Sequence, residues 1–315
     1  MTPLLRIGTR RSKLALAQSG MMQRAIGSAL GVPEAEIEQA VPLVEIVTTG
    51  DRIQDRRLLE VGGKSLFTKE IEEALLDGRV DIAIHSMKDV PAEQPHGLSI
   101  AAVPEREDAR DGFISENFAT FVDLPQGARL GTASLRRQAQ ALALRPDLQI
   151  EMLRGNVDTR LRRLKDGDFD AILLACSGLN RLGLSEVIRE RLSLDSFLPA
   201  PGQGALAIQT RTEDARADWT RVLDHTPTAL CVAAERGAML AMEGSCRTAI
   251  GAYATYEDGS LNLTTEMLSP DGKQRFRRAG QLSDITDTDF KRVKALGLDL
   301  GTEIYASAGN QQIEV

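Results

Sequence analysis

The stretch Asp81–Pro91, DIAIHSMKDVP, sets a proton carrier, a hydroxyl, a cation and a carboxylate within five positions: His85, Ser86, Lys88 and Asp89. A carboxylate held among cations stays ionised and can stabilise positive charge that develops on a substrate. A titratable neighbour can move the protons. Before these four comes Asp81-Ile82-Ala83-Ile84, an apolar, β-branched run bounded by Gly78 and Pro91 that reads as a buried strand. In open α/β sheets, ligands bind at the carboxyl ends of strands. Taken alone, a strand running into a polar loop, with Asp89-Val90-Pro91 as an ordinary turn, is the plainer reading.

Other strand ends change that balance. Thr9, Arg10 and Ser12 close a first strand, Leu4–Thr9. Further on, Thr132, Ser134, Arg136 and Arg137 follow one strand, Arg154, Asn156 and Arg160 another, and Arg181 a third. If every strand ends on one rim, two lobes face each other across a cleft lined with guanidinium groups, hydroxyls and helix N-termini. All of these favour anions, and Arg forks match carboxylates bidentately. Solvated helix faces account for Arg162 and Arg163, but not for Arg at successive strand ends. Arg136 and Arg154 are expected at a solvated rim of that cleft. Asp89 is then the carboxylate among the cations, and the expected ligand is a polyanion that passes through a cationic intermediate.

Composition narrows the class. Net charge is −7, against a nucleic-acid-coating protein, while 30 of the 38 cations are Arg, so their positions carry more information than their number. Cys176, Cys231 and Cys246 contain no C-x-x-C pair and make neither a disulfide framework nor a zinc site; no metal is expected. Val61-Gly62-Gly63-Lys64-Ser65 imitates the tail of a P-loop, but Leu58 stands where its first glycine belongs. No apolar run has membrane-spanning length, and Met1–Arg6 lacks the layout of a signal peptide, so a cytoplasmic protein is expected.

The elements that must position these residues alternate β and α. Ser12 caps a helix reaching Leu30, Val41–Thr48 is a strand, Thr68 opens a helix closing at Gly78, and Leu98–Val103 is a further strand. The pattern then repeats. Arg6-Ile7-Gly8-Thr9 is echoed by Arg129-Leu130-Gly131-Thr132, and Asp77–Asp81 by Asp166–Asp170. Two similar lobes with doubly wound, mostly parallel sheets follow. Pro104–Asp111 and Pro199–Gly202 are the crossings, and Ala205–Gln209 returns as a strand to the first lobe. From Thr226 the grammar changes to a helix, the Gly244-Ser245-Cys246 loop, an antiparallel meander and a last helix from about Asp284. The expected domains are 1–104 with 202–224, then 105–201, then a small α+β domain over 225–315.

HSMKDVP, Gly131–Arg137, Leu153–Arg160, Pro201–Gly204 and the Gly244–Gly251 loop together resemble the porphobilinogen deaminase (hydroxymethylbilane synthase) family, nearly end to end. The resemblance implies two periplasmic-binding-protein-like lobes plus a third domain. It implies a transferase that joins four porphobilinogen molecules head to tail, with loss of ammonia, on a dipyrromethane primer. It assigns the primer's thioether to Cys246 and the catalytic role to Asp89 with Lys88. Ser86, Lys88, Asp89, Thr132, Ser134, Arg136, Arg137, Arg154 and Arg160 would hold the cofactor. Arg10, Ser12, Phe67, Arg154, Arg160, Arg181 and Gln203 would hold substrate. Two departures from the family pattern stand out: Arg247-Thr248-Ala249 after the cysteine, and Ser65 in place of a usual glycine. A monomer without nucleic-acid or membrane partners is expected. The alternative is a non-catalytic two-lobed binding or sensor protein for a polycarboxylate, on which Cys246 has no role.

Overall fold

The computed structural model describes residues 2–49, 68–214, 218–242 and 249–309. The chain divides into two compact units. Unit 1 comprises Met1–Arg56, Lys64–Arg106 and Ala205–Ala229; unit 2 comprises Arg57–Gly63, Glu107–Gly204 and Leu230–Val315.

In unit 1 the strands β1 (Ile7–Thr9), β2 (Leu43–Glu45), β3 (Ile82–Ser86), β4 (Leu98–Ala102) and β10 (Leu206–Arg211) form one sheet in the order β2-β1-β3-β10-β4. β10 runs against its two neighbours and the other four share a direction, so the sheet is mostly parallel with one reversed strand. Helix α1 (Lys13–Ala29) begins where Ser12 Oγ accepts the Ala15 N–H at 3.2 Å, and it ends before Gly31, whose φ of +71° suits glycine. Its apolar side, Met22 and Ile26, packs on Ile7, Ile82, Ile84 and Ile208. The alternate pleat residue Ala83 packs with Ile71, Ala74 and Leu75 of α2 (Lys69–Leu76) on the opposite face.

Unit 2 repeats this plan. Strands β5 (Asp111–Ile114), β6 (Arg129–Gly131), β7 (Gln149–Glu151), β8 (Ala171–Ala175) and β9 (Glu190–Arg191) lie in the order β7-β6-β8-β5-β9. Helix α3 (Leu135–Leu144) covers one face; α4 (Val157–Lys165) and the short α5 (Cys176–Arg181) cover the other. The sequence echoes are bonded pairs. Arg6 closes a bidentate pair on Asp81 at 2.9 Å, and Arg129 meets Asp170 through its backbone N–H at 2.7 Å and its guanidinium at 3.5 Å. Gly8 and Gly131 occupy matching places because a Cβ there would sit 3.1 Å from Val80 and 2.9 Å from Phe169.

The expected antiparallel meander is β11 (Ala249–Glu257), β12 (Ser260–Leu268) and β13 (Arg275–Leu282). Its first turn places Asp258 at φ +46° and Gly259 at φ +74°, as a tight hairpin turn requires. Helices α6 (Thr226–Ala241) and α7 (Phe290–Ala308) cross with Gly297 and Gly301 against the backbone of Ala234 and Ala238. Several expectations shift. The strands expected over Leu4–Thr9 and Val41–Thr48 cover only Ile7–Thr9 and Leu43–Glu45, and the last helix begins at Phe290 instead of near Asp284. β3 extends through His85 and Ser86, which are strand residues, and Asp111 opens β5 inside what reads as a crossing. Among the described residues, no helix is long and apolar enough to cross a membrane.

Candidate active site

The sheet of unit 1 carries Asp89 to its carboxyl edge. One 3₁₀ turn, Met87–Asp89, follows β3, with Met87 buried and Lys88 and Asp89 exposed. Two backbone bonds pin it: Met87 N–H to the Ala205 carbonyl at 3.0 Å, and Val90 N–H to the Met87 carbonyl at 3.1 Å. Ser86 Oγ accepts from Gln18 Nε2 of α1 at 3.1 Å, and Thr9 Oγ1 accepts from Ser19 at 2.7 Å, so the neighbouring hydroxyls are held by the helix that Ser12 caps. Arg10 and Ser12 are half-buried at the end of β1. His85 lies under the turn and within electrostatic reach of both Asp89 and Arg10. Burial drives its pKa down to about 4; a bond from Gln209 and the charge of Asp89 oppose the drop, and Arg10 adds to it. At neutral pH the imidazole is therefore uncharged.

In unit 2 the loop from β6 to α3 is an ordered set of caps. Thr132 Oγ1 accepts the Ser134 N–H at 3.2 Å and Ser134 Oγ accepts the Arg137 N–H at 3.5 Å. Arg136 and Arg137 then point inward instead of to a rim. They are only 4% and 6% exposed, around an Asp111 that is wholly buried. Arg136 Nη1 donates to Asp111 Oδ2 at 2.7 Å and to the Leu198 carbonyl at 2.8 Å. Arg137 donates to Asp111 Oδ1 through Nε at 3.0 Å and Nη2 at 2.7 Å. Gln203, also buried, donates to the same Oδ1 at 2.9 Å and to the Ala109 carbonyl at 2.7 Å. Burial pushes the Asp111 pKa up, but the two guanidinium groups outweigh it and hold the carboxyl well below its usual range. The rim expectation therefore fails for Arg136, because a carboxylate that the sequence reading passed over draws it inward.

The remaining arginines are less enclosed. Arg154 and Arg160 are half-buried, and Arg160 Nε donates to the Gly155 carbonyl at 2.7 Å. Arg181 Nη2 donates to the Gly204 carbonyl at 2.6 Å, and burial lowers its pKa. Arg163, assigned to a solvated face, pairs with Asp168 at 2.7 Å and lies over the Phe169 ring at 4.8 Å; Arg162 is exposed. Cys246, the Gly244–Thr248 part of its loop, Phe67 and Ser65 lie outside the described residues.

Known proteins match this chain along its length. Residues 5–218 match the family model described as porphobilinogen deaminase, dipyromethane cofactor binding domain, and residues 229–306 match the porphobilinogen deaminase C-terminal domain. The chain belongs to the porphobilinogen deaminase family. A relative of that name from Caulobacter vibrioides is 61% identical over 98% of this chain and 97% of its own length, and one from Phenylobacterium zucineum is 58% identical over 98% of each. Among solved structures, an ABC-transporter periplasmic substrate-binding protein from Coxiella burnetii shares 16% identity at a TM-score of 0.44, over 74% of this chain and 96% of that one. As a porphobilinogen deaminase family member, the chain is a transferase of porphyrin biosynthesis that uses a dipyrromethane cofactor.

The residues present suit a carboxylate-bearing cofactor. Arg136 Nε and Arg181 Nε are buried with no hydrogen-bond acceptor among the described residues. Each of these N–H groups lacks an acceptor of the kind a carboxylate supplies. The reading from sequence missed Asp111, Gln18 and Gln209. A polar residue directly after the apolar run Ala205-Leu206-Ala207-Ile208 was the one available signal for the last of these.

Proposed function

We propose that the chain joins four porphobilinogen molecules head to tail, releasing ammonia at each joining, on a dipyrromethane primer bound to Cys246, and that water then cleaves the tetrapyrrole from the primer as hydroxymethylbilane. The observation that carries the reading is Asp89: an exposed carboxylate on a pinned turn at the carboxyl end of β3, in a chain of the deaminase family. Positive charge develops on the substrate as ammonia leaves, and Asp89 is the group that stabilises it, with Lys88 beside it for protons and carboxylates. Each substrate brings an acetate and a propionate. Arg10, Ser12, Arg154, Arg160, Arg181 and Phe67 take these carboxylates and rings, while Ser86, Thr132, Ser134 and Arg137 serve the primer. Arg136 and Gln203 act from inside, through Asp111. The primer supplies the pyrrole carbon on which the product is built; the protein supplies position and field.

Cys176 and Cys231 support the choice of Cys246. Both are buried, and burial together with Asp108 and Asp111 pushes the Cys176 thiol up to about 12, so it stays protonated. The expected domain division, with Cys246 in 225–315, belongs to the same reading, as does a cytoplasmic monomer whose partner is its small-molecule substrate. Purified protein given porphobilinogen should release ammonia and a linear tetrapyrrole. Its intact mass should exceed that of the chain by two pyrrole units, on the peptide containing Cys246. A fully active chain without the adduct, or an adduct on Cys176 or Cys231, overturns the reading.

A further inference from the structure

The turn bearing Asp89 is bracketed by a line of side-chain hydrogen bonds whose direction is set at one end. A carbonyl accepts and cannot donate, so the Pro91 carbonyl fixes the amide nitrogen of Gln94 toward itself, at 3.2 Å. Gln94 is thereby left presenting Oε1, which accepts from Gln209 Nε2 at 2.9 Å. Gln209 in turn presents Oε1 to His85 Nε2 at 3.0 Å. The network therefore assigns the imidazole proton to Nε2 and the lone pair to Nδ1. His85 precedes the turn; Pro91 and Gln94 follow it. Gln209, wholly buried and sited where the β10–β4 register shifts between Ile208 and Gln209, joins the two sides. Irregularities of this kind re-aim a side chain. The Gln209 amide also faces Glu72 of α2, a buried carboxyl.

The second sheet is a control within the same molecule. Ser86 pairs with Leu206 in one sheet and Ala175 with Asp111 in the other, so Leu174 and Ile114 occupy the places of His85 and Gln209. Both are apolar and pack in one cluster with Ile172. At these two positions the same strand order closes without a polar pair, and burying one is costly unless every group is bonded. The His85–Gln209 pair thus answers to the turn beyond it, not to the sheet.

We propose that Gln209 is a positioning residue for Asp89, fixing the Met87–Asp89 turn from both sides through His85 and Gln94. The proposal rests on the reading of Asp89 given above. It is tested on primer-loaded protein, comparing wild type with Gln209→Leu, Gln94→Leu and Asp89→Asn in single-turnover assays with porphobilinogen. Nitrogen-15 spectra of the histidines are recorded alongside. Gln209→Leu and Gln94→Leu should each slow the first addition by about ten- to a hundred-fold, as misplacement of a reacting group does, while substrate affinity stays within about two-fold. The wild-type spectrum should show His85 as the Nε2–H tautomer, a signature lost in Gln209→Leu and kept in Asp89→Asn. Gln94 is half-buried in a loop, so its variant decides the matter if Gln209→Leu does not fold. A folded Gln94→Leu that reacts at the wild-type rate, or a His85 protonated on Nδ1, overturns the proposal. If Asp89→Asn reacts at the wild-type rate, the catalytic reading itself has failed; a slow Asp89→Asn beside a fast Gln94→Leu condemns the positioning role alone.

Discussion

Asp89 is exposed and its backbone is pinned, so replacing its charge need not disturb its shape. Asp89→Asn is expected to reduce turnover by about two to three decades while binding survives, because the interaction is strongest as positive charge develops. Asp89→Glu should fall between Asn and wild type in the same single-turnover measurement. Asp111 is the opposite kind of residue. Removing it leaves two guanidinium groups buried without their carboxylate, so Asp111→Ala should cost about 3–5 kcal/mol in denaturant unfolding. Arg162→Leu, on an exposed face, should stay within about 0.5 kcal/mol. Arg136→Leu now belongs with the variants that lose stability as well as activity. Asp89 was legible in sequence because its chemistry is packed into one short stretch. Asp111 was not, because its meaning lies in partners 25 and 26 positions away.

Whole elements were read more evenly. Ser12, Thr68 and Gly78 are local signals, and the helices they delimit fell within a few residues of the expected bounds. The strand β5 gave no such signal: four residues, Asp111–Ile114, with polar neighbours and no periodicity to count. Helix crossings are also silent in a single sequence until glycines are given a reason. Gly297 faces the backbone of Ala234 and Ala238, with a Cβ there only 2.8 Å from the Ala238 nitrogen. Gly297→Ala adds helix propensity but forces α6 and α7 apart, and the steric effect should win by about 1–2 kcal/mol. Gly20, in α1, would place its Cβ no closer than 3.8 Å to the tip of Arg24, so Gly20→Ala should instead stabilise by up to about 1 kcal/mol. Paired melting curves of the two variants read the opposite signs directly.

For the molecule as a whole, His85 and Glu72 couple stability to pH in opposite senses; burial drives both shifts, and the Gln209 amide that bonds to each opposes them. The folded pKa of His85, about 4, lies below its usual 6.5, so between those values the unfolded chain takes a proton that the folded chain refuses. Stability from this source is lost as pH falls through that window, by about 3 kcal/mol in all. Burial raises Glu72 above its ordinary 4.5, so its contribution weakens as pH rises instead. Urea unfolding at pH 7 and 4.5 should show wild type losing about 2–3 kcal/mol more than His85→Gln over that interval. Asp111, held low by its arginines, adds its own loss only at more acid pH.

The reversed strand β10 also sets a timetable. It lies between β3 and β4 in the finished sheet, yet in the chain it follows them by about 100 residues, the span that builds most of the second sheet's unit. At ribosomal speeds of about 5–20 residues per second, that span keeps the gap open for roughly 5–20 s. Until Leu206–Arg211 emerge, β3 and β4 present unpaired facing edges, which are open to wrong partners. Gln209 arrives with that strand. The carboxylate turn thus receives its brace among the last events of assembling unit 1, and a nascent chain stalled before residue 206 would hold Asp89 without it.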